Sequence, residues 1–393
     1  MKLIPRTAQR TLKKLARSYP ALVVTGPRQS GKTTLTQMVF PDKPYVSLEE
    51  LDTREFALQD PRGFLNQYPD GAILDEVQRC PDLFSYLQSI LDAKKKMGQF
   101  ILTGSQQFGL ISNISQSLAG RVAKISLLPF SLDELQKAKK APKKLEELMF
   151  KGLYPPVYDR KLDPPIWYGN YVDNYIERDV RQLINVRDLL VFQRFVRMCA
   201  GRTGQILNLS SLASDCGVTH NTAKAWISVL EASYIIHLLQ PHHKNFNKRL
   251  IKSPKLYFYD PGLAVWLLNI QTAQQFATHS ARGHIFETWV VSELLKCRFN
   301  NALKSNLYFW RDNKGQEVDV LIERADKLLP IEIKSGQTMA NDFLDGLKKY
   351  RLLAGRSSGQ GFLLYGGTKA HTRENIRIVP WKQIQNLSDS LLD

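Results

Sequence analysis

The chain has 393 residues, 43% hydrophobic and 23% charged, a globular balance long enough for two or three domains rather than one core. It contains no uninterrupted apolar run of about 18 residues, so no membrane span is expected. Met1–Arg6 carries charge with no long apolar stretch behind it, so a secretory signal is not expected either. A net charge of +17 makes a polyanion a plausible partner, nucleic acid before a membrane surface. In chain order, Arg6 to Tyr19 sets Leu12, Leu15 and Ala16 among cationic residues, which predicts an amphipathic helix ahead of a first strand.

That strand, the apolar β-branched run Ala21 to Thr25, leads into Gly26-Pro27-Arg28-Gln29-Ser30-Gly31-Lys32-Thr33-Thr34, which fits G-x-x-x-x-G-K-[ST] at every fixed position. The glycines let the backbone wrap so that successive N–H groups face the phosphates of a nucleotide. Lys32 reaches the β/γ oxygens, and the Thr33 hydroxyl ligates Mg²⁺. Leu35, Met38 and Val39 follow at helical spacing, which puts the phosphates at a helix N-terminus. The expected ligands are therefore ATP and Mg²⁺.

Tyr45 to Leu48 reads as a second strand. Gly71 to Asp75 reads as a further apolar strand, ending in Asp75-Glu76. Asp75 is expected to hold the Mg²⁺ shell through water, and Glu76 to act as general base for a hydrolytic water. Phe100 to Ser105 is another strand with small polar residues at its end, where Ser105 or Thr103 is placed to sense the γ-phosphate or simply to leave the strand. Arg121, just before the strand Val122 to Leu128, is either an arginine finger supplied to a neighbouring subunit or a solvated surface residue.

Gln136 to Glu147 is lysine-rich punctuation. Trp167, Tyr168, Tyr171 and Tyr175 stripe one face of a helix, a pattern that favours core packing over base stacking; Arg178 and Asp179 follow as a possible polar latch near the nucleotide. Leu207 to Ile236 has helix-turn-helix cadence, with Gly217-Val218 as the turn and Thr219 or Asn221 as the cap of the second helix. Ala223, Trp226, Ile227 and Leu230 are expected to be buried, and His220, Asn221, Lys224 and Ser228 to face outward. His242 to Arg249, with Lys244, Lys248 and Arg249, has the basic character of a wing, and Lys255 to Tyr259 returns as a strand. Such a helix can lie in a major groove, which makes His220, Asn221, Lys224, Lys244, Lys248 and Arg249 the DNA-contact candidates; a lid on the ATPase or a subunit contact is the alternative.

Gly283 to Leu295 reads as an amphipathic helix bearing Glu287 and Glu293, followed by strands at Tyr308–Trp310, Glu317–Ile322, Leu329–Lys334, Gly361–Tyr365 and Ile376–Trp381. Strand alternation puts Asp319 opposite Val318 and Val320, and gives Glu332 and Lys334 a common face. Glu287, Asp319 and Glu332 suit a hard cation such as Mg²⁺, with Lys334 beside them. The four cysteines, Cys80, Cys199, Cys216 and Cys297, lack metal-ligand spacing and are expected to be buried thiols in a reducing, cytoplasmic setting.

The segments TGPRQSGKTT, AILDEVQ, FILTGSQ, SLAGRVAKISLLPFSLDEL, YIERDV, GHIFETWVVSELL and EVDVLIE…PIEIKSG together resemble the AAA-like bacterial and archaeal ATPases that carry a C-terminal domain of unknown function. The resemblance spans nearly the whole chain. It implies an α/β P-loop NTPase fold of the additional-strand class, then a winged-helix module, then a restriction-endonuclease-like α/β domain. Glu287, Asp319, Glu332 and Lys334 resemble the PD-(D/E)XK nucleases residue by residue. The expected segments are 1–135 for the ATPase, 136–200 for a helical linker or lid, 201–265 for the winged helix and 266–393 for the nuclease-like domain. The leading expectation is an ATPase that binds double-stranded or branched DNA and assembles as a homo-oligomer, with a hexameric ring as one form, and with no membrane partner. A nucleotide-gated signalling switch and an ATP-regulated nuclease are the alternatives.

Overall fold

The computed structural model describes residues 3–94, 96–105, 117–176, 189–242, 252–387 and 392. The chain divides into two compact units. One comprises residues 1–130 with 232–234 and 299–304, and the other 131–231, 235–298 and 305–393.

The first unit is built on a five-stranded sheet in the order β2-β3-β4-β1-β5, all pairs parallel: β1 (Ala21–Thr25), β2 (Tyr45–Ser47), β3 (Ile73–Asp75), β4 (Phe100–Gly104) and β5 (Val122–Ser126). Every residue of β1 is buried, and alternate residues serve opposite faces. Ala21 and Val23 pack with Leu74, Phe100 and Leu102, whereas Leu22 and Val24 pack with Leu35, Ile73, Ile101 and Ile125. A strand buried on both faces needs a continuous apolar run, and that is why ALVVT shows no polar alternation. The strand that precedes the glycine loop and the strand that ends in Asp75 are separated by β4. Insertion of that strand places Thr103, at the end of β4, between them. This is the α/β P-loop NTPase arrangement, with a parallel sheet.

The second unit carries two sheets. Strands β6 (Gln205–Ile206), β7 (Ile236–Leu239) and β8 (Lys255–Phe258) pair antiparallel in the order β6-β8-β7. Strands β9 (Leu307–Arg311), β10 (Glu317–Arg324), β11 (Lys327–Lys334), β12 (Gly361–Tyr365), β13 (His371–Arg373) and β14 (Ile376–Pro380) form a mixed sheet in the order β13-β14-β12-β11-β10-β9. Residues 205–206 and 371–373 were not expected as strands; each is only two or three residues long, below what periodicity resolves.

Two helices, Leu209–Cys216 and His220–Ala232, precede β7 and are joined through Gly217 at φ 70°. Thr219 Oγ1 accepts the Thr222 N–H at 3.1 Å, which caps the second helix as expected. Ala223, Trp226, Ile227 and Leu230 are buried, and Phe192 and Phe195 meet Trp226 edge-on at 5.2 and 5.1 Å. The aromatic stripe of the preceding segment is core: Trp167, Tyr168 and Tyr171 are buried and gather around Tyr154. Segment 131–171 packs within the second unit. Asp260 accepts from Leu153 N–H at 2.7 Å, Tyr168 hydroxyl at 2.6 Å and Leu263 N–H at 2.9 Å, while Glu293 accepts Leu132 N–H at 2.9 Å. Of the thiols, Cys80, Cys199 and Cys216 are buried; Cys297 is only partly so, because its helix, Arg282–Asn300, is partly open at that point.

Candidate functional site

Gly26 sits at φ 147°, and a Cβ there would lie 2.1 Å from the Leu127 carbonyl oxygen, so only glycine allows the loop to turn against the strand beside it. Gly31 at φ 90° caps the helix Lys32–Val39, whose first N–H groups have no intrahelical partner and carry the positive end of the helix dipole. The Lys32 ammonium, 6% exposed, donates to the Gly26 and Pro27 carbonyls at 3.0 and 2.8 Å. These are loop carbonyls, and phosphate oxygens are stronger acceptors that would draw the ammonium away from them. Ser30 Oγ is buried without a hydrogen-bond partner among the described residues. Gln29 takes a left-handed φ of 59°, while Arg28 lies 3.9 Å from Glu49, a carboxylate also bonded by Arg79 at 3.1 Å. Thr34 follows in the first turn of the helix.

The loop is held from below by two residues that sequence reasoning did not single out. The Arg6 guanidinium, 7% exposed, donates to Ser30 O at 2.7 Å, Leu128 O at 2.6 Å and Pro129 O at 3.4 Å, and lies 4.9 Å from the Phe130 ring centroid. Tyr234 is buried at φ 56°; its hydroxyl lies 2.6 Å from Thr25 Oγ1 and 3.1 Å from Ser126 Oγ. Neither position has a local sequence signal, since each acts across more than a hundred residues or on backbone carbonyls.

Asp75 ends β3 and Glu76 follows it directly. Asp75 Oδ2 accepts from Thr33 Oγ1 at 2.8 Å and from the Tyr45 hydroxyl at 2.7 Å, while Oδ1 accepts from Thr103 Oγ1. The Tyr45 hydroxyl is raised well above its usual range, by burial first and then by the Asp75 carboxylate. Glu76, at φ 53°, is held by Ser105 Oγ at 3.1 Å and by the Gln78 amide, both on Oε2. The structure thus divides the two β4 candidates: Thr103 serves Asp75, and Ser105 serves Glu76. Arg121 forms a two-pronged pair with Asp92, Nε to Oδ1 at 2.6 Å and NH2 to Oδ2 at 2.8 Å. Its guanidinium is therefore engaged within its own chain.

A loop of N–H groups, a buried ammonium and a hydroxyl touching a carboxylate make a donor set that fits a nucleotide triphosphate with its Mg²⁺. Thr33 would ligate the metal directly and Asp75 through water.

On the helix His220–Ala232, His220, Asn221 and Lys224 are exposed, whereas Ser228 is half-buried and its hydroxyl turns back to Lys224 O at 3.1 Å. Lys244, Lys248 and Arg249, like Arg178 and Asp179, lie outside the described residues. His242 is buried; its N–H bonds Phe309 O at 2.8 Å, which ties the end of β7 to β9.

The C-terminal acids gather around ammonium groups. Glu287 Oε1 accepts from Lys255 Nζ at 2.9 Å and from the Tyr257 hydroxyl at 2.5 Å; Lys255 also pairs with Glu317. Asp319 Oδ2 accepts the Ile333 N–H at 2.8 Å, and Glu332 Oε1 accepts from Lys334 at 2.6 Å. Burial, then the Glu287 charge, pushes Asp319 up to about 7, with Lys255 and Lys334 opposing. Burial, then Asp319, pushes Glu332 up to about 8. Among the described residues no three His, Cys, Asp or Glu side chains are grouped so as to hold a metal. Lys255 was expected only as the start of a strand.

Residues 18–136 match the AAA domain family, residues 142–274 a domain of unknown function (DUF8612) and residues 282–384 another (DUF4143). The first unit thus carries a P-loop ATPase domain of AAA-like class, and the chain ends in a DUF4143 region. Two uncharacterized proteins, from Mycobacterium tuberculosis and Mycobacterium bovis, are each 29% identical over 336 residues, which is 85% of this chain and 74% of theirs. Among solved structures, a Walker-type ATPase of Pyrococcus abyssi is similar at TM-score 0.47 and 15% identity, over 67% of this chain and 96% of its own. The RuvB Holliday junction branch migration motor of Thermotoga maritima is similar at TM-score 0.31 and 16% identity, over 59% and 88%. Among the described residues no helix is long and apolar enough to cross a membrane.

Proposed function

We propose that the chain is a Mg²⁺-dependent ATP hydrolase that binds DNA and couples turnover to remodelling of DNA or movement along it. The observation that carries hydrolysis is the contact between Thr33 and Asp75, next to a Glu76 carboxylate held by Ser105. Lys32 and the loop N–H groups would neutralise the β/γ oxygens, and Glu76 would take the proton of the attacking water, with Ser105 and Gln78 fixing its aim. Mg²⁺, held by Thr33 and the water shell of Asp75, would supply Lewis-acid stabilisation of the developing phosphate charge.

Support for DNA comes from the net charge of +17 and from exposed His220, Asn221 and Lys224 at the start of a helix set by a tight turn. In this reading these helices and β6, β7 and β8 would serve as a winged helix on double-stranded or branched DNA, and Lys244, Lys248 and Arg249 remain contact candidates from the sequence alone. The segment plan 1–135, 136–200, 201–265 and 266–393 belongs to this reading. So does a homo-oligomer, as a ring, in which Arg121 would leave Asp92 to reach a neighbour's phosphates. The cytoplasm is the matching location.

Steady-state ATP hydrolysis without DNA, with duplex and with branched DNA tests the proposal: several-fold stimulation by DNA is expected. A second reading, a nucleotide-gated switch, is favoured by Tyr234, which lies two residues after the helix His220–Ala232 and bonds Thr25 beside the loop. Equal and slow rates under all three conditions would select it.

A further inference from the structure

The helix Ala8–Leu15, ahead of the first strand, has two faces of different character. Ala8 and Leu12 are buried and pack with Leu35 and Val39 of the helix Lys32–Val39, so the apolar face is taken up inside the first unit. The other face opens on a groove lined by Gln9, Arg10, Lys13, Lys14, Arg17 and Ser18. These residues form two rows at i, i+4 and i+8, and such rows bound the grooves of a helix surface. The spacing runs on through the turn after the helix, where the Arg17 and Ser18 N–H groups donate to Lys14 O and Leu15 O at 3.2 and 2.9 Å. All four cations are exposed.

A basic helix face in water is ordinarily laced with acids. The lysine-rich segment after β5 is of that kind, since Lys137 pairs with Asp133 and Lys140 with Asp159. The helix Ala8–Leu15 is not. Among the described residues Arg10, Lys13, Lys14 and Arg17 have no carboxylate partner, and the chain holds no Asp or Glu before Asp42. Arg10 with Lys14 and Lys13 with Arg17 are like charges four residues apart, a spacing that weakens a helix. The helix dipole favours Lys13 and Lys14 in the last turn, but Arg10 stands in the first turn, where an acid would suit. A face built against its own helix calls for an anion from outside.

The lining narrows which anion. It has no apolar or aromatic residue, so it lacks the buried anchor of a protein interface, where lysine is depleted. A helix lying on a membrane turns its apolar face into the lipid, and here that face is in the core. Rows of cations without an apolar centre suit the successive phosphates of a nucleic acid, which are contacted without reading bases.

We propose that Arg10, Lys13, Lys14 and Arg17 form a sequence-independent binding site for the phosphate backbone of duplex DNA, carried by the ATPase unit itself. The inference rests on the DNA half of the proposed function but not on the helix His220–Ala232, so it adds a second contact surface. The four cations hold the first unit to the backbone by releasing counterions, and they carry no sequence preference.

The test titrates the full chain with duplexes of two unrelated sequences between about 50 and 200 mM salt. Changing all four cations to Gln should weaken binding by the same factor on both duplexes. It should also flatten the slope of log K against log salt by about 1 per cation removed, about 4 in all. ATP turnover without DNA and the unfolding midpoint should stay at their wild-type values. Arg10→Gln with Lys14→Gln should give half of the slope change, and this pair decides the matter if the fourfold variant does not fold. His220→Ala with Lys224→Ala, titrated in parallel, reads the other contact surface. An unchanged slope in the fourfold variant, on a wild type that binds both duplexes, overturns this inference alone. A wild type that binds neither duplex at about 50 mM salt overturns it together with the DNA half of the proposed function. Capture of the wild type on phosphatidylserine vesicles that the four substitutions abolish, with duplex binding untouched, assigns the face to a lipid surface and overturns it too.

Discussion

The two acidic clusters of this chain differ in what holds them. Asp75 and Glu76 are bonded by the hydroxyls of Thr33, Tyr45, Thr103 and Ser105 and by the Gln78 amide. Glu287, Glu317 and Glu332 are bonded by the ammonium groups of Lys255 and Lys334. Hydroxyls orient a carboxylate without cancelling its charge, so the front cluster keeps its demand for a cation and a proton. Ammonium groups offset part of the charge of the rear cluster, while Glu332 Oε2 stays buried with no hydrogen-bond partner among the described residues. Similar acidic residues thus meet mainly hydroxyls in one place and mainly ammonium groups in the other.

The sharpest way to break this comparison is to disarm the front cluster. Lys32→Ala should cut ATP turnover by about 10³-fold or more, and Glu76→Gln should lower kcat by about 10²–10⁴-fold while ATP binding is kept; steady-state rates with an equilibrium binding titration separate the two. Unchanged hydrolysis in Lys32→Ala would sink the site assignment. Next comes the support of the loop. Arg6→Ala orphans the Ser30 and Leu128 carbonyls and should cost about 3 kcal/mol in denaturant unfolding of the first unit. Tyr234→Phe removes one hydroxyl from Thr25 and Ser126, should cost about 1 kcal/mol in denaturant unfolding, and should raise KM for ATP several-fold. The smallest effect is expected for Arg121→Ala, whose pair with Asp92 is solvent-exposed and screened; its unfolding midpoint should stay near that of the wild type, and a large loss of turnover would show that the arginine acts on phosphate in an assembly.

Much of the front site was legible because its chemistry is local. A buried strand, a glycine loop, a lysine and a helix follow one another in a dozen residues, and Asp75-Glu76 ends its own strand. The two helices Leu209–Cys216 and His220–Ala232 were legible for the same reason, since Gly217 and the cap at Thr219 sit within a few residues of each other. Arg6, Tyr234 and Lys255 were not legible. Each finds its partners only after distant strands have come together: Arg6 at Leu128, Tyr234 at Thr25, Lys255 at Glu287. Spacing placed Asp319 and Glu332 on neighbouring strands but gave no sign that Lys255 would pair with Glu287 and Glu317. Ser228 is half-buried on the same face as the exposed Lys224, and its hydroxyl donates to the Lys224 carbonyl one helical turn back.

The most direct test of the contrast is to count Mn²⁺ ions bound per chain by electron paramagnetic resonance, with and without a non-hydrolysable ATP analogue. The account predicts one ion that appears only when the nucleotide is present and is lost in Thr33→Ala. An ion count that does not rise with the nucleotide, or a rise that survives Thr33→Ala, would contradict it.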